Sequence, residues 1–159
     1  MNNDKYLDLA AVLPHRPPMI LIDRIISYDV GSKTLTAEFS VNERSLFFDA
    51  ALGGIPAWVG LEYMAQAMAA LTGILAIEGG GAPPAMGFVL GTRKYSNEIG
   101  LYRAGGTYTV DAESLFFDGS MGGFKCVIRG LGGASCATAE ISAFAPEDAE
   151  AILLGGTDG

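Results

Sequence analysis

The sequence predicts an α+β fold in which one long apolar helix packs against an antiparallel sheet. The helix is expected from the run IPAWVGLEYMAQAMAALTGILAIE at 55–78, which has no proline after Pro56 and is rich in Ala, Leu and Met. Such a run would form about six turns. The sheet is expected from KTLTAEFSV at 33–41, where every second residue is apolar: Leu35, Ala37, Phe39 and Val41. This alternation is typical of a half-buried antiparallel strand. Two predicted strands precede the helix and four follow it, an order that indicates an α+β architecture.

The segments before the helix are predicted from their composition. Residues 1–12 are expected to form a short helix, and the three prolines of LPHRPP at 13–18 impose an extended or turning backbone. A first strand is expected at 19–30, MILIDRIISYDV. The loop at 42–54 carries an apolar patch, Leu46 to Phe48, whose aromatic residues are expected to cap a pocket or to pack on a second subunit.

Four strands are expected after the helix and a GGGAPP linker: AMGFVLGT at 85–92, TYTVDAESLFF at 107–117, FKCVIRGL at 124–131 and SCATAEISAF at 135–144. A sheet that wraps one helix leaves an edge and an apolar face, which favours a homodimer or a higher oligomer. We expect the whole chain, 1–159, to form a single domain, with an acidic tail at 147–159 that frays.

Charge and hydropathy exclude several classes of partner. The 10 basic and 18 acidic residues give a formal charge of -8, which argues against nucleic acid or an anionic membrane as a partner.

The apolar run at 55–78 approaches the length of a membrane span, which is about 20 residues. However, Glu62 and Gln66 interrupt it, and Asp49 and Glu78 flank it. With no signal peptide recognised, we expect a soluble, cytoplasmic protein.

The sequence offers little for a cofactor. Cys126 and Cys136 flank a glycine turn with no histidine nearby, so a zinc site would lack ligands and two reduced, buried thiols are expected. The paired glycines stand at turns, and no phosphate loop with a following Lys-Ser or Lys-Thr is found. We therefore expect neither a metal nor an organic cofactor.

Three residues are candidates for a site, and Glu62 is the first candidate for chemistry. Glu62 is an acid in an apolar helix, where it would need a partner or a raised pKa. Gln66 stands four residues later, on the same helical face. His15, the single histidine, lies in the proline-rich segment and is either a surface residue or a positioned one. A structural role for Glu62, paired to backbone or to an arginine, remains open.

The segments LPHRPPMILIDRI at 13–25 and PAWVGLEYMAQAMA at 56–69 resemble the hotdog-fold 3-hydroxyacyl-(acyl carrier protein) dehydratases of fatty-acid synthesis, which are FabZ/FabA-like. Among these, the dehydratases of aryl-polyene pigment clusters are the most similar. The resemblance implies a hotdog fold, in which an antiparallel sheet wraps around one long central helix. Two features depart from the family pattern. The glycine that starts the helix is Ala57 here, and the loop at 47–52 lacks the family's catalytic histidine.

The resemblance implies a hydro-lyase that converts 3-hydroxyacyl thioesters on acyl carrier protein to trans-2-enoyl thioesters. His15 would replace the missing loop histidine and remove the C2 proton, while Glu62, kept protonated by its apolar helix, would protonate the leaving hydroxyl. Gln66 would support them. Free N–H groups at the helix start, around Ala57 and Trp58, would stabilise the enolate oxygen.

Other functions remain open at this point. A hotdog thioesterase would use Asp49 or Glu62 to activate water on the thioester carbonyl. A catalytically inactive acyl-binding or assembly subunit would result if His15 points away from Glu62. For the dehydratase, docking of an acidic carrier protein would need a local basic patch. The candidates are Arg93 and Lys94 after the third strand, Arg103 in the next loop, and Arg16 beside His15.

Overall fold

The computed structural model describes residues 6, 8–15, 17–81, 88–118 and 121–144. Its strands and its long helix are β1 (Arg24–Asp29), β2 (Thr34–Ser40), β3 (Gly54–Pro56), α1 (Gly60–Glu78), β4 (Phe88–Asn97), β5 (Leu101–Arg103), β6 (Thr107–Asp118), β7 (Met121–Arg129) and β8 (Ser135–Phe144). Short 3-10 turns occupy Leu9–Ala11, Ala57–Val59 and Leu131–Gly133.

Within these residues, six strands form one antiparallel sheet in the order β1-β2-β6-β7-β8-β4, and β3 pairs with β5 in a small second sheet. The helix α1 packs on β2, β6 and β7. Its inward residues, Met64, Ala67 and Leu71 among them, are almost fully buried. The alternation predicted for β2 is confirmed, because its three apolar residues and the adjacent Val41 are buried and its polar residues are not. The α+β prediction is therefore confirmed.

The helix begins later than predicted. Gly54–Pro56 is strand β3, Ala57–Val59 is a 3-10 turn, and α1 starts only at Gly60. Pro56 has extended backbone angles, with φ -57° and ψ 145°, which continue the pairing of Gly54 and Ile55 with β5. The partner strand β5 is only three residues long. A strand this short is not recognisable in the sequence, so the sequence does not predict that β3 delays the start of the helix.

The strands on either side of α1 also differ from the predicted ranges. β1 starts at Arg24 and not at residue 19, because the amides of Leu21 and Ile22 bond to the side chain of Gln66 rather than to a strand. β4 continues to Asn97, so much of the loop expected beyond Lys94 is strand. The predicted start of β4 at 85, Arg16 and the tail at 147–159 lie outside the described residues. Of the helix expected at 1–12, the described part shows a single 3-10 turn.

Two further predictions can be compared with the structure. The segment Ala57–Glu78 is long and apolar enough to cross a membrane by length and composition, but its inward face belongs to the hydrophobic core. Cys126 and Cys136 are both buried and free, as expected. Burial raises the pKa of the Cys126 thiol to about 12, so this sulfur stays protonated and packs as a small apolar group.

Candidate active site

Gln66 ties the segment before β1 to the middle of α1. Its side chain is 1% exposed, and its Oε1 accepts hydrogen bonds from the amides of Leu21 and Ile22 at 2.8 and 3.4 Å. Its Nε2 donates to the carbonyl of Met19 at 2.6 Å. A buried amide with three such bonds fixes the chain that leads away from the proline-rich segment. The connection therefore holds the chain that follows His15 against α1.

His15 and Glu62 lie close enough to interact electrostatically. His15 is half-buried, and its burial lowers the pKa of the imidazole, while the negative charge of Glu62 acts in the opposite direction. Removal from water favours the neutral ring. A neutral imidazole beside a carboxyl group is the combination that acid-base chemistry at neutral pH requires.

Glu62 is exposed in this protomer, which corrects the prediction that the apolar helix encloses it. Trp58, one turn earlier, is 60% exposed. Gln66, one turn later, is buried because the chain at 19–22 covers it. That cover ends before it reaches Glu62. The burial expected to keep Glu62 protonated is therefore not provided by the described residues of this chain.

The amides at the helix start also differ from the prediction. The N–H of Ala57 donates to the carbonyl of Gly100 at 3.2 Å, so it is not free to bind a ligand. The next amide is that of Trp58. It lies in the 3-10 turn Ala57–Val59 at the start of the helix, where an N–H group has no acceptor within the helix itself. The Tyr95 hydroxyl donates to the carbonyl of Ala57 at 3.1 Å. Tyr95 was not a sequence candidate.

Aromatic and apolar side chains surround the outer part of this region. The rings of Phe47 and Trp58 meet edge to face, with centroids 5.7 Å apart. Phe47 has φ +71°, a left-handed conformation that is costly for a bulky residue. Beside it, Leu46, Leu21 and Tyr63 help to line a cleft of about 320 Å³. The sequence predicts that the aromatics of this loop cap a pocket or pack on a second subunit, but the member of the patch at 46–48 that lines this cleft is Leu46, not Phe47 or Phe48.

Two acids in this cleft and its neighbouring loop have structural contacts. Burial raises the pKa of Asp23, while a hydrogen bond from the Ser40 amide at 2.7 Å opposes this shift. Asp49, a candidate for activating water, accepts from the amides of Ala51 and Leu52 at 2.9 and 3.2 Å. These bonds make Asp49 the cap of its own turn. No group of three potential metal ligands is found among the described residues.

The structure describes the predicted basic residues only in part. Lys94 lies inside β4 rather than after it, and its Nζ is 3.5 Å from a carboxylate oxygen of Glu140. Arg103 is exposed on β5, not in a loop. The backbone of Arg93 belongs to β4, whereas its side chain and the whole of Arg16 lie outside what the structure describes. Lys94 and Arg103 are therefore both exposed, and of the two the charge of Lys94 faces a carboxylate.

Comparisons with known proteins identify the family and the fold of the chain. A family model described as ApeP-like, ApeP dehydratase, matches residues 7–154. A chain from the dehydratase heterocomplex ApeI:P of Xenorhabdus doucetiae is 25% identical, with a TM-score of 0.85, over 96% of this chain and 99% of that chain. A hypothetical thioesterase of Streptococcus pneumoniae with coenzyme A is 12% identical, with a TM-score of 0.59 over 76% of this chain and 83% of that one, and shares the fold alone.

Similarity to curated proteins is confined to part of each chain. The 3-hydroxyacyl-[acyl-carrier-protein] dehydratase FabZ of Chlamydia trachomatis is 38% identical over 71 residues, which are 43% of this chain and 46% of that protein. FabZ of Vibrio atlanticus is 36% identical over 76 residues, 48% of this chain and 49% of that protein. The chain thus spans about half the length of the curated relatives that it matches. Because the family model covers nearly the whole chain, the protein belongs to the ApeP-like family of hotdog-fold dehydratases.

Proposed function

We propose that the chain dehydrates 3-hydroxyacyl thioesters carried on acyl carrier protein to trans-2-enoyl thioesters, with His15 and Glu62 as the acid-base pair. The observation that carries this proposal is that Glu62 lies near enough for its charge to act on the His15 imidazole, while Gln66 holds the chain that follows His15 against α1. The lowered pKa of His15 keeps its ring neutral at pH 7 and therefore able to accept a proton.

The reaction follows from these two roles. His15 takes the proton from C2, and the electron pair of that C–H bond moves into the thioester as an enolate. The pair then forms the C2–C3 double bond while the C3–O bond breaks, and Glu62 gives its proton to the departing hydroxyl, which leaves as water. Transfer of the proton from the His15 imidazolium to the Glu62 carboxylate restores both residues. The Trp58 amide is the proposed donor to the enolate oxygen.

The exposure of Glu62 points to a second protomer as part of the site. A protonated carboxyl group at pH 7 needs an apolar enclosure, and Trp58 and Glu62 lie open on the same side of the helix. We propose that a second hotdog chain covers them, either a copy of this chain or a related dehydratase. The similar Xenorhabdus doucetiae chain comes from a heterocomplex, which supports pairing with another chain.

The carrier protein and the cell compartment also belong to this proposal. Arg103, with Arg93, Lys94 and Arg16, is proposed to attract the acidic carrier in the cytoplasm, although the net charge of -8 opposes this attraction. This attraction predicts that the enzyme prefers the carrier-bound thioester over the same acyl group on pantetheine. It also predicts that this preference disappears at high salt. Turnover of the two thioesters is therefore measured at low and at high salt.

The test is turnover by the full chain and by His15→Ala and Glu62→Gln, followed through the absorbance of the enoyl thioester. Each variant should lose about 10²- to 10⁴-fold in kcat. Glu62→Gln should keep its melting temperature, because the side chain is exposed. Glu113→Gln changes another exposed acid, on β6, and should keep wild-type turnover. Normal turnover in Glu62→Gln would overturn the assignment, and release of free thiol would indicate a thioesterase.

A non-catalytic subunit is the second candidate, and a specific observation favours it. The loop at 42–53 contains no histidine, and Glu62 is exposed in the protomer. Such a subunit would be inactive alone and would raise the melting temperature or the turnover of a dehydratase partner. The two candidates separate in the mixed complex, where Glu62→Gln in this chain leaves turnover unchanged only if the subunit is non-catalytic.

A further inference from the structure

A β-bulge in β4 directs Tyr95 toward the start of α1. The pairing of β4 with β8 shifts register between Arg93 and Ser96, so that two residues of β4, Lys94 and Tyr95, interrupt the ladder. Lys94 has φ +55°, the left-handed conformation that a lysine rarely adopts. Bulges of this kind change the direction of a side chain and are frequent beside active sites. Here the re-directed hydroxyl of Tyr95 reaches the carbonyl of Ala57.

That carbonyl belongs to the same peptide unit as the Trp58 N–H. The Ala57 oxygen accepts two hydrogen bonds, one from the Tyr95 hydroxyl at 3.1 Å and one from the amide of Gly60. Since a peptide unit is planar, two bonds at its oxygen fix the direction of its N–H. They also draw charge toward the oxygen, which makes the N–H a stronger donor.

The neighbouring amide cannot take the same role. The Ala57 N–H donates a hydrogen bond to the carbonyl of Gly100. The first of the two amides that the sequence analysis assigned to the enolate oxygen therefore already has an acceptor. The bond from Tyr95 therefore acts on the one peptide unit of this turn whose N–H the proposed mechanism needs. Burial raises the pKa of the Tyr95 hydroxyl, which keeps it protonated as a donor throughout the neutral range.

We propose that Tyr95 is a positioning residue, which orients and polarises the Ala57–Trp58 peptide so that the Trp58 N–H binds the thioester carbonyl and stabilises the enolate oxygen. This inference rests on the proposed dehydratase function. Tyr95 itself does not touch the substrate. Its effect is on the strength of one hydrogen bond, which should grow as negative charge develops on the carbonyl oxygen in the transition state.

The experiment compares Tyr95→Phe with Tyr102→Phe in the full chain. Both changes remove one hydroxyl near Gly60, and a Cβ built on Gly60 would lie 3.2 Å from the Tyr95 oxygen and 2.5 Å from that of Tyr102. In the described part of the chain the Tyr102 hydroxyl has no hydrogen-bond partner. Tyr95→Phe should lower kcat about three- to tenfold with KM changed less than about twofold. Tyr102→Phe should leave both unchanged.

A spectroscopic readout separates positioning from a structural role. The probe is a saturated acyl-pantetheine thioester with a ¹³C-labelled carbonyl, which a dehydratase binds and leaves intact. Its carbonyl band should move to lower wavenumber on binding to the wild type and to Tyr102→Phe, and move less in Tyr95→Phe. Equal shifts in Tyr95→Phe and wild type, or no shift in the wild type, would overturn the inference.

The failure of this inference and that of the proposed function give different results. If the wild type dehydrates its substrate but Tyr95→Phe behaves as Tyr102→Phe does, the positioning role is wrong and the proposed function stands. If the wild type shows no turnover while its carbonyl shift still depends on Tyr95, the proposed function fails and the peptide retains its role in thioester binding.

Discussion

The two sides of α1 differ in what determines their environment. The inward side is sealed by the sheet of the same chain, and Met64, Leu71 and Ile74 are at most 1% exposed. The outer side opens to solvent at the start of the helix, where Trp58 is 60% exposed and Glu62 is exposed as well. One side stabilises the protomer, while the other presents the candidate acid to a substrate or a second chain. Stability and function should therefore separate by helical face.

The largest effect on stability is expected on the inward side. Leu71→Ala truncates a side chain that is 1% exposed, and the cavity should lower the free energy of unfolding by about 2–5 kcal/mol. Chemical denaturation measures this loss. Leu115→Ala makes the same truncation on a side chain that is 51% exposed and should cost no more than about 0.5 kcal/mol. Similar losses in both variants would mean that the sheet does not seal this side of α1.

Gln66 lies between the two sides, so its replacement should affect both stability and turnover. Gln66→Leu leaves the amides of Leu21 and Ile22 and the carbonyl of Met19 without their partner, at a cost of about 1–3 kcal/mol. Turnover should also fall, since the chain carrying His15 loses its attachment. Thr72 is a partly buried polar residue on the same helix. The variant Thr72→Val is therefore the control for both stability and turnover. Loss of stability with full turnover would show that Gln66 does not position His15.

The smallest effect is expected from pH. Burial lowers the pKa of folded His15 from its ordinary 6.5, so as the pH falls below about 6.5 the unfolded chain binds the proton first and stability decreases. The loss should be a fraction of the about 1.4 kcal/mol that one pKa unit represents, because the ring is partly solvated. It is measured as the melting temperature between pH 7.5 and 5. In His15→Gln the part of this decrease that comes from His15 should be absent. If the melting temperature of that variant depends on pH as the wild type does, the decrease comes from other titrating groups.

Residues whose surroundings come from their own segment could be predicted from the sequence. The alternation of β2 identified Leu35, Ala37, Phe39 and Val41 as a buried face because side chains in a strand point to opposite sides at each step. The apolar run located α1, and two motifs identified the family. The helix start was misplaced because the pairing of β3 with β5 joins residues far apart in the sequence.

For the site, the sequence by itself determined which groups are available: one histidine, one acid in the apolar helix, and the glutamine one turn later. Only the tertiary structure decided their surroundings. Glu62 is exposed while Gln66 is buried, because the covering segment at 19–22 ends between them. The Ala57 amide is used by Gly100, and Tyr95 reaches the helix start through a bulge. Burial and hydrogen bonding at these positions depend on chain segments that approach from elsewhere in the fold, which local sequence patterns do not encode.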